Sequence, residues 1–295
     1  MAVAQLKYDT SDAKIPQILK PFGDFAELYN TQIIKVGSMY NADYPRNLRM
    51  FLSYELFNDI TEAIQKTFGK NKLSFESDLT LAFKHYKYYF PKKTIPNLYT
   101  FNGGFNQSIV IDSAIIGIGL DKYLGTKNVL YEKLEMEQFK KNVMYPEKLT
   151  SDCMFALAES EFPFSFANQN LLSSMLDEGR KMYFTKAMTP QIADTILWGF
   201  TGKQMTFCIE NERQMWDYLV DNKLLFNNEY MTIKRFTGEG PFTTAFSKDS
   251  PAKAAVWIGY QIVLSYMNHH SNVSLPELMT ENDYQRIMNK SKYNP

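Results

Sequence analysis

Residues 108–119, SIVIDSAIIGIG, constrain this chain most, because they are the one long stretch that departs from a helical period. They are rich in β-branched side chains and broken once, at Asp112-Ser113, which reads as two short strands. Leu98–Phe101 reads as another, set apart by the turn Asn102-Gly103-Gly104. Three strands so close in sequence predict one small antiparallel sheet. The remainder predicts helices, so the expected class is a mostly helical α+β fold.

The helical segments have recognisable stripes and ends. A short helix is expected over 24–35. Tyr44-Pro45 opens a longer one, in which Phe57, Ile60, Ile64 and Phe68 form a stripe ending at Gly69. Phe75, Leu79 and Phe83 mark a third, which stops before Pro91. Thr201 with Gln204 and Ser274 with Glu277 fit capping boxes. Ser250-Pro251 reads as an N-cap followed by proline at the first helical position, and Thr280 as a further N-cap with Asp283 in the first turn. No repeat or flexible linker divides the 295 residues. One domain is expected, with a helical N-terminal region over residues 1–95 and a region over residues 96–295 that joins the sheet to the C-terminal helices.

Composition removes several function classes. Lys+Arg and Asp+Glu are equal at 32 each, so no basic surplus points to nucleic acid. Two cysteines are too few for a disulfide framework, and Cys153 and Cys208 both fall in apolar helical patterns. No apolar run is long enough to span a membrane. No signal peptide follows Met1, which predicts either a cytoplasmic protein or a chain without its export signal. There is no P-loop, no G-x-S-x-G and no dinucleotide fingerprint.

The charged residues that stand out lie on helices. In LLSSMLDEGRKMYF (171–184), Leu171, Met175, Glu178 and Met182 share one seam, which sets the Glu178 carboxylate among apolar neighbours. Glu212 falls on a stripe with Met205, Cys208, Ile209, Trp216 and Leu219 if 201–222 is one helix. A buried carboxylate needs a cation or several donors. Arg180, Lys181 and Arg235 are the candidate partners, and Glu178, Arg180, Lys181, Glu212 and Arg235 together are the candidate ligand cleft. No catalytic residue and no metal ligand set is assigned. His85, His269 and His270 are the only histidines, and adjacent histidines on a helix point about 100° apart.

AFKHYKYYFPKKTIPNLYTF (82–101), IGIGLDKYLG (116–125), LLSSMLDEGRKMYF (171–184), CIENERQMWDYLV (208–220), SPAKAAVWIGYQIVLSYM (250–267) and SKYNP (291–295) resemble the gliding-motility lipoprotein GldB family of Bacteroidota, in order over about 5–295. That family in turn resembles predicted gluzincin metallopeptidases, in which a Glu-Gly helix brings the third zinc ligand. Where their H-E-x-x-H helix belongs, KLTSDCMFALAES (148–160) has no histidine, and Asp152, Cys153 and Glu159 form no familiar zinc spacing. The resemblance therefore implies a zincin-like architecture without its chemistry and without a cofactor. It implies a non-enzymatic, lipid-anchored protein on the periplasmic side of the envelope, in gliding motility or the associated secretion machinery, with envelope proteins as partners. The lipid-modified cysteine is absent here, so the chain is expected to be the mature protein with Met1 added. A divergent metal-dependent hydrolase and a peptide or small-ligand binder are the alternatives. For the binder, Ile109, Ile111 and Ile115–Ile118 are expected to line a groove beside Glu178, with the backbone of the open sheet edge left free for a partner.

Overall fold

The computed structural model describes residues 14–69, 72–112, 114–165 and 169–295. In chain order its helices begin with α1 (Ile15–Leu19), α2 (Asp24–Leu28), α3 (Tyr44–Ser53), α4 (Glu55–Phe68) and α5 (Lys72–Tyr89). The strands β1 (Asn97–Phe101), β2 (Ile109–Asp112) and β3 (Ile115–Gly119) come next. They are followed by α6 (Val129–Lys133), α7 (Gln138–Lys141), α8 (Leu149–Glu161), α9 (Leu171–Met188), α10 (Asp194–Trp198) and α11 (Gly202–Glu210). Last come α12 (Glu212–Asp221), α13 (Tyr230–Thr237), α14 (Ala254–His269), α15 (Leu275–Thr280) and α16 (Tyr284–Ser291). The class is α+β and mostly helical, as the periodicity predicts.

The sheet is mixed rather than antiparallel. β3 is its central strand, antiparallel to β2 with Ile109 opposite Ile118, and parallel to β1 with Asn97 opposite Ile115. The cause lies in the loop after β1. The Asn102 side chain donates to Phe57 O (3.2 Å) and Thr61 Oγ1 (2.9 Å), and the Asn102 backbone carbonyl accepts from Tyr29 Oη (2.8 Å). The fully buried Asp121, just past β3, accepts from the Phe105 amide. Burial pushes its carboxyl up to about 6, against backbone hydrogen bonds that lower it. Tied in this way, residues 102–108 do not close a hairpin. They cross the end of β3 and return as β2 on its far side. Ile115–Ile118 therefore lie in the strand paired on both edges, not at the open edge expected for a peptide groove. Asp112 and Ile115 are paired at the expected break, and Ser113 lies outside the described residues.

The chain forms two compact units, each discontinuous in sequence. The first is Met1–Ser74, Thr94–Met136 and Met144–Pro146; the second is Phe75–Lys93, Glu137–Val143 and Glu147–Pro295. In the first, Phe25, Ile33, Leu48, Phe57 and Phe101 share one core, with Tyr99, Val110 and Ile115 packed on it. Phe25 stacks on Tyr99 at 4.5 Å. The sheet thus shares its core with the N-terminal helices, whereas the division at residue 95 groups it with the C-terminal ones. Glu178 belongs to the second unit.

The second unit is organised by α9 and α14. These helices approach so closely that a Cβ added to Gly259 falls 1.9 Å from Met175 O, and one added to Gly179 falls 2.5 Å from Gly259 C and Tyr260 N. Only glycine lets two helix backbones meet at that distance. The capping boxes Thr201–Gln204 and Ser274–Glu277 are formed. Ser250 is not an N-cap: α14 starts at Ala254, after Lys253 in the left-handed region (φ 57°). Thr243 serves that end instead, its Oγ1 accepting from the Ala254 amide (3.1 Å) and donating to Pro251 O (2.8 Å). Thr280 ends α15, and Asp283 caps α16 through the Arg286 amide (2.9 Å). The single helix expected over 201–222 is two helices, because Asn211 leaves helical geometry (φ −112°, ψ 14°). Among the described residues no helix is long and apolar enough to cross a membrane.

Gly259→Ala drives a methyl group into a backbone carbonyl with no flexible neighbour to yield. It is expected to lower stability by about 3 kcal/mol, at the upper end of overpacking effects, or to prevent folding. Gly202→Ala, at a helix start with open space around its Cβ position, serves as the control and is expected to be neutral or slightly stabilising. Urea midpoints of the two variants check this, and equal midpoints would show that the crossing is looser than described.

Candidate functional site

At the α9–α14 crossing, α9 carries neighbouring residues with distinct roles. Asp177 is buried, and its Oδ1 accepts from Arg180 Nη2 (2.7 Å) and Tyr284 Oη (2.9 Å). Its Oδ2 pairs with Lys181 Nζ at 2.7 Å. Arg180 and Lys181 are themselves buried, which the i, i+3 and i, i+4 spacing from Asp177 makes possible. Arg180 Nη1 also donates to Glu281 O (2.6 Å), and its guanidinium lies over the Tyr284 ring. Arg180 and Lys181 are thus bound to Asp177, a residue that sequence reasoning passed over, and not to Glu212. Gly179 makes the close approach, and Glu178 lies about 100° round the helix from Asp177.

Glu178 is partly buried, and among the described residues nothing donates a hydrogen bond to its carboxylate. Burial raises its pKa, Lys253 and Lys181 oppose the shift, and Glu159 and Asp177 reinforce it. Lys253 sits at the start of α14 with its Nζ 2.6 Å from Glu239 Oε1, and it also feels Glu178 and Glu159. Glu159 is exposed on α8. One helical turn farther along the same faces the surroundings become apolar. Met182 and Val256, with Leu197, are packed by half-buried Phe155, Ile192, Trp198 and Tyr260. The Trp198 and Tyr260 rings meet edge to face at 5.5 Å. Glu178 and Lys253 thus each lie about one helical turn from this apolar group, Glu178 from Met182 and Lys253 from Val256. A few polar groups converging on apolar lining is the usual make-up of a ligand site.

The other candidate residues lie apart from this constellation. Glu212 is half-buried at the start of α12, where its Oε1 accepts from Tyr293 Oη (2.8 Å). Burial raises its pKa and that hydrogen bond lowers it. The break at Asn211 moves it off the stripe expected for it, and Ile209 on that stripe is exposed. Arg235 is exposed on α13. His85 Nδ1 lies 2.9 Å from Met188 O, and the Nδ1 atoms of His269 and His270 lie 2.8 and 2.9 Å from the carbonyls one turn back. Asp152 pairs with Lys148 at 2.6 Å. Cys153 and Cys208 are buried free thiols that burial pushes up to about 12. Among the described residues no group of three histidine, cysteine or acidic side chains could hold a metal ion. The spacing Asp177, Arg180, Lys181 was the available signal for the buried cluster. Glu159 and Lys253 carried none, because they join Glu178 only through the packing of α8 and α14 on α9.

Comparison with protein families finds one whose model, gliding motility protein GldB, matches residues 2–295. Searches of curated proteins and of solved structures return no significant match.

Two tests follow from the charges. Asp177→Ala leaves two buried cations without their anion and is expected to destabilise by about 3–5 kcal/mol. Glu212→Ala removes one hydrogen bond at a half-buried site and is expected to cost about 1 kcal/mol. Urea unfolding of both checks the order. The second concerns Glu178. A carboxyl whose folded pKa lies above its unfolded value binds its proton more tightly in the folded state. Stability therefore falls as pH rises from the unfolded value of 4.5 through the raised folded one, and stays lower above it. Glu178→Gln removes that loss. It should exceed the parent by roughly 1 kcal/mol at neutral pH, the usual gain from relieving a functional site. Well below pH 4.5 the two should match, and a variant less stable at neutral pH would show that Glu178 is held by a partner.

Proposed function

The chain belongs to the gliding motility protein GldB family, and from that premise we propose that it acts as a non-enzymatic interaction protein of the cell envelope. In this reading the native protein is a lipoprotein of a Bacteroidota cell, anchored by an N-terminal lipid at the periplasmic side of the outer membrane. It serves gliding motility or the secretion machinery linked to it, through contacts with other envelope proteins. A zincin-like architecture belongs to the same proposal, with α8 in the place of the H-E-x-x-H helix and α9 in that of the Glu-Gly helix.

The observation that carries it is the company Glu178 keeps. A peptidase of that group surrounds its glutamate with imidazoles and a metal ion. Here the charges acting on Glu178 are two lysine ammonium groups and two further carboxylates, while the three histidines bond to backbone carbonyls elsewhere. An ammonium beside the carboxylate repels a divalent cation and does the neutralising that a metal would do. The same observation favours a second reading within the non-enzymatic one. Glu178 is an acceptor without a donor beside an apolar floor, which suits a peptide or small polar ligand.

Elemental analysis of the purified chain tests the first reading. After loading with zinc and dialysis against metal-free buffer, well under one equivalent is expected to remain. A stoichiometric zinc that resists dialysis would overturn the non-enzymatic reading and favour a metal-dependent hydrolase.

A further inference from the structure

Between Asp78 and Asp112 the sequence holds four lysines and no acid, and the lysines fall together at the end of α5 and in the turn after it. The inner face of α5 is set by its buried residues. Leu79, Phe83, Tyr86 and Phe90 recur at spacings of four, three and four, and Phe90 packs against Phe162 and Phe184. Leu81, Lys84 and Tyr88 recur at three and four on the opposite side and are exposed, Tyr88 to 79%. Tyr89, also exposed, meets the Tyr88 ring edge to face at 5.1 Å. Lys87 Nζ donates to Pro91 O (2.8 Å) and Lys93 O (2.7 Å), and the Lys93 amide donates to Phe90 O (3.1 Å). These bonds close the turn against the helix end and keep exposed Lys92 there. Lys93 lies 3.4 Å from Glu161 Oε2, whereas among the described residues Lys84 and Lys92 have no ion-pair partner.

The helix dipole accounts for a cation in the last turn, and Lys87 meets that role by binding carbonyls. It does not account for Lys84 before that turn, for Lys92 beyond the helix, or for two tyrosine rings in water beside them. Unpaired ammonium groups with tyrosine rings among them complement a partner that is anionic at its face and apolar just beneath. A membrane interface has that layering: negative headgroups attract lysine, and tyrosine rings settle at headgroup level. An acidic polypeptide would match the charge, but peptides are held in grooves or along sheet edges. The outer face of a helix is convex and meets a flat layer along its length.

We infer that the outer face of α5 docks on an anionic lipid surface, with the Lys84 and Lys92 ammonium groups on headgroup phosphates and the Tyr88 ring among the headgroups. This is a membrane contact made by the folded chain itself, and it does not rest on the lipid anchor proposed above.

The test is sedimentation of the purified chain with vesicles of phosphatidylglycerol and phosphatidylcholine in equal parts, or of phosphatidylcholine alone. Binding is expected to the first, weakening as salt rises, and not to the second. One lysine near an anionic surface is worth about fivefold in affinity, so Lys84→Ala combined with Lys92→Ala should weaken binding about tenfold or more. Tyr88→Ala should weaken it about threefold or more. All three side chains are exposed, so urea midpoints should stay at the parent's and loss of binding is not loss of fold. Lys203→Ala combined with Lys223→Ala, at two exposed lysines elsewhere in the same unit, should leave binding unchanged. Equal weakening by that control pair would show diffuse charge attraction and overturn the assignment to α5. Full binding by Tyr88→Ala would overturn the interfacial contact. Binding to soluble poly-glutamate with the same lysine dependence, and none to vesicles, would overturn the lipid in favour of an acidic polypeptide. No binding to any of these would overturn the docking surface itself.

Discussion

The contact between Gly179 and Gly259 sets the distance between α9 and α14, and the second unit is arranged around it. A methyl group at either position would meet backbone atoms at 2.5 Å or less. At that distance the residues beside the crossing are positioned by main chain rather than by adaptable side chains. Asp177, Arg180 and Lys181 are thereby held on one side of α9, and Glu178 lies on the neighbouring apolar seam with Met175 and Met182. The Glu-Gly pair legible in the sequence thus has a packing reason that needs no metal. The glycine makes the approach, and the glutamate before it is carried to the edge of the crossing.

The two sides treat their charges differently. On the Asp177 side a carboxylate serves two cations and a tyrosine hydroxyl, all buried, which is the form in which charge is tolerated inside a protein. That arrangement ties α9 to α16 through Tyr284, and through Glu281 to the turn before it. On the Glu178 side the nearest cations are committed to other carboxylates. The contrast separates a cluster closed on itself from a carboxylate that accepts no hydrogen bond among the described residues. Perturbed titration alone would not do so, because Glu212 is shifted in the same direction and simply accepts from Tyr293.

What the sequence made legible was local. The capping boxes at Thr201 and Ser274, the stripe through Phe57, Ile60 and Phe68, and the break in the β stretch all depend on residues within a few positions of one another. What it hid depended on partners far along the chain. The parallel pairing of β1 with β3 follows from Asn102 bonding to α4, 41 and 45 residues away. The start of α14 follows from Thr243, 11 residues before the amide it accepts from, and so moves past the Ser250-Pro251 signal. The break at Asn211 fell in a stretch whose apolar stripe runs on through it, so periodicity could not show it. Glu178 was legible as a carboxylate on an apolar seam, but Glu159 and Lys253 were not, since nothing in their spacing joins three helices.

Glu178 is also informative for what it costs. The seam of Leu171, Met175 and Met182 would run on unbroken with methionine or leucine at 178, and burying an apolar side chain there would favour the folded state. A partly desolvated carboxylate disfavours it at neutral pH, and the buried Asp177 cluster does not relieve it. Nothing in the packing of α9 on α14 requires an acid at this position, because Gly179 alone makes the approach. A glutamate supplies what methionine cannot, an acceptor with charge, beside rings that stay half-exposed although the core around them is closed. An acid that the packing of α9 on α14 does not require, beside an apolar cluster with half-buried rings, is what supports the ligand-binding reading of this position.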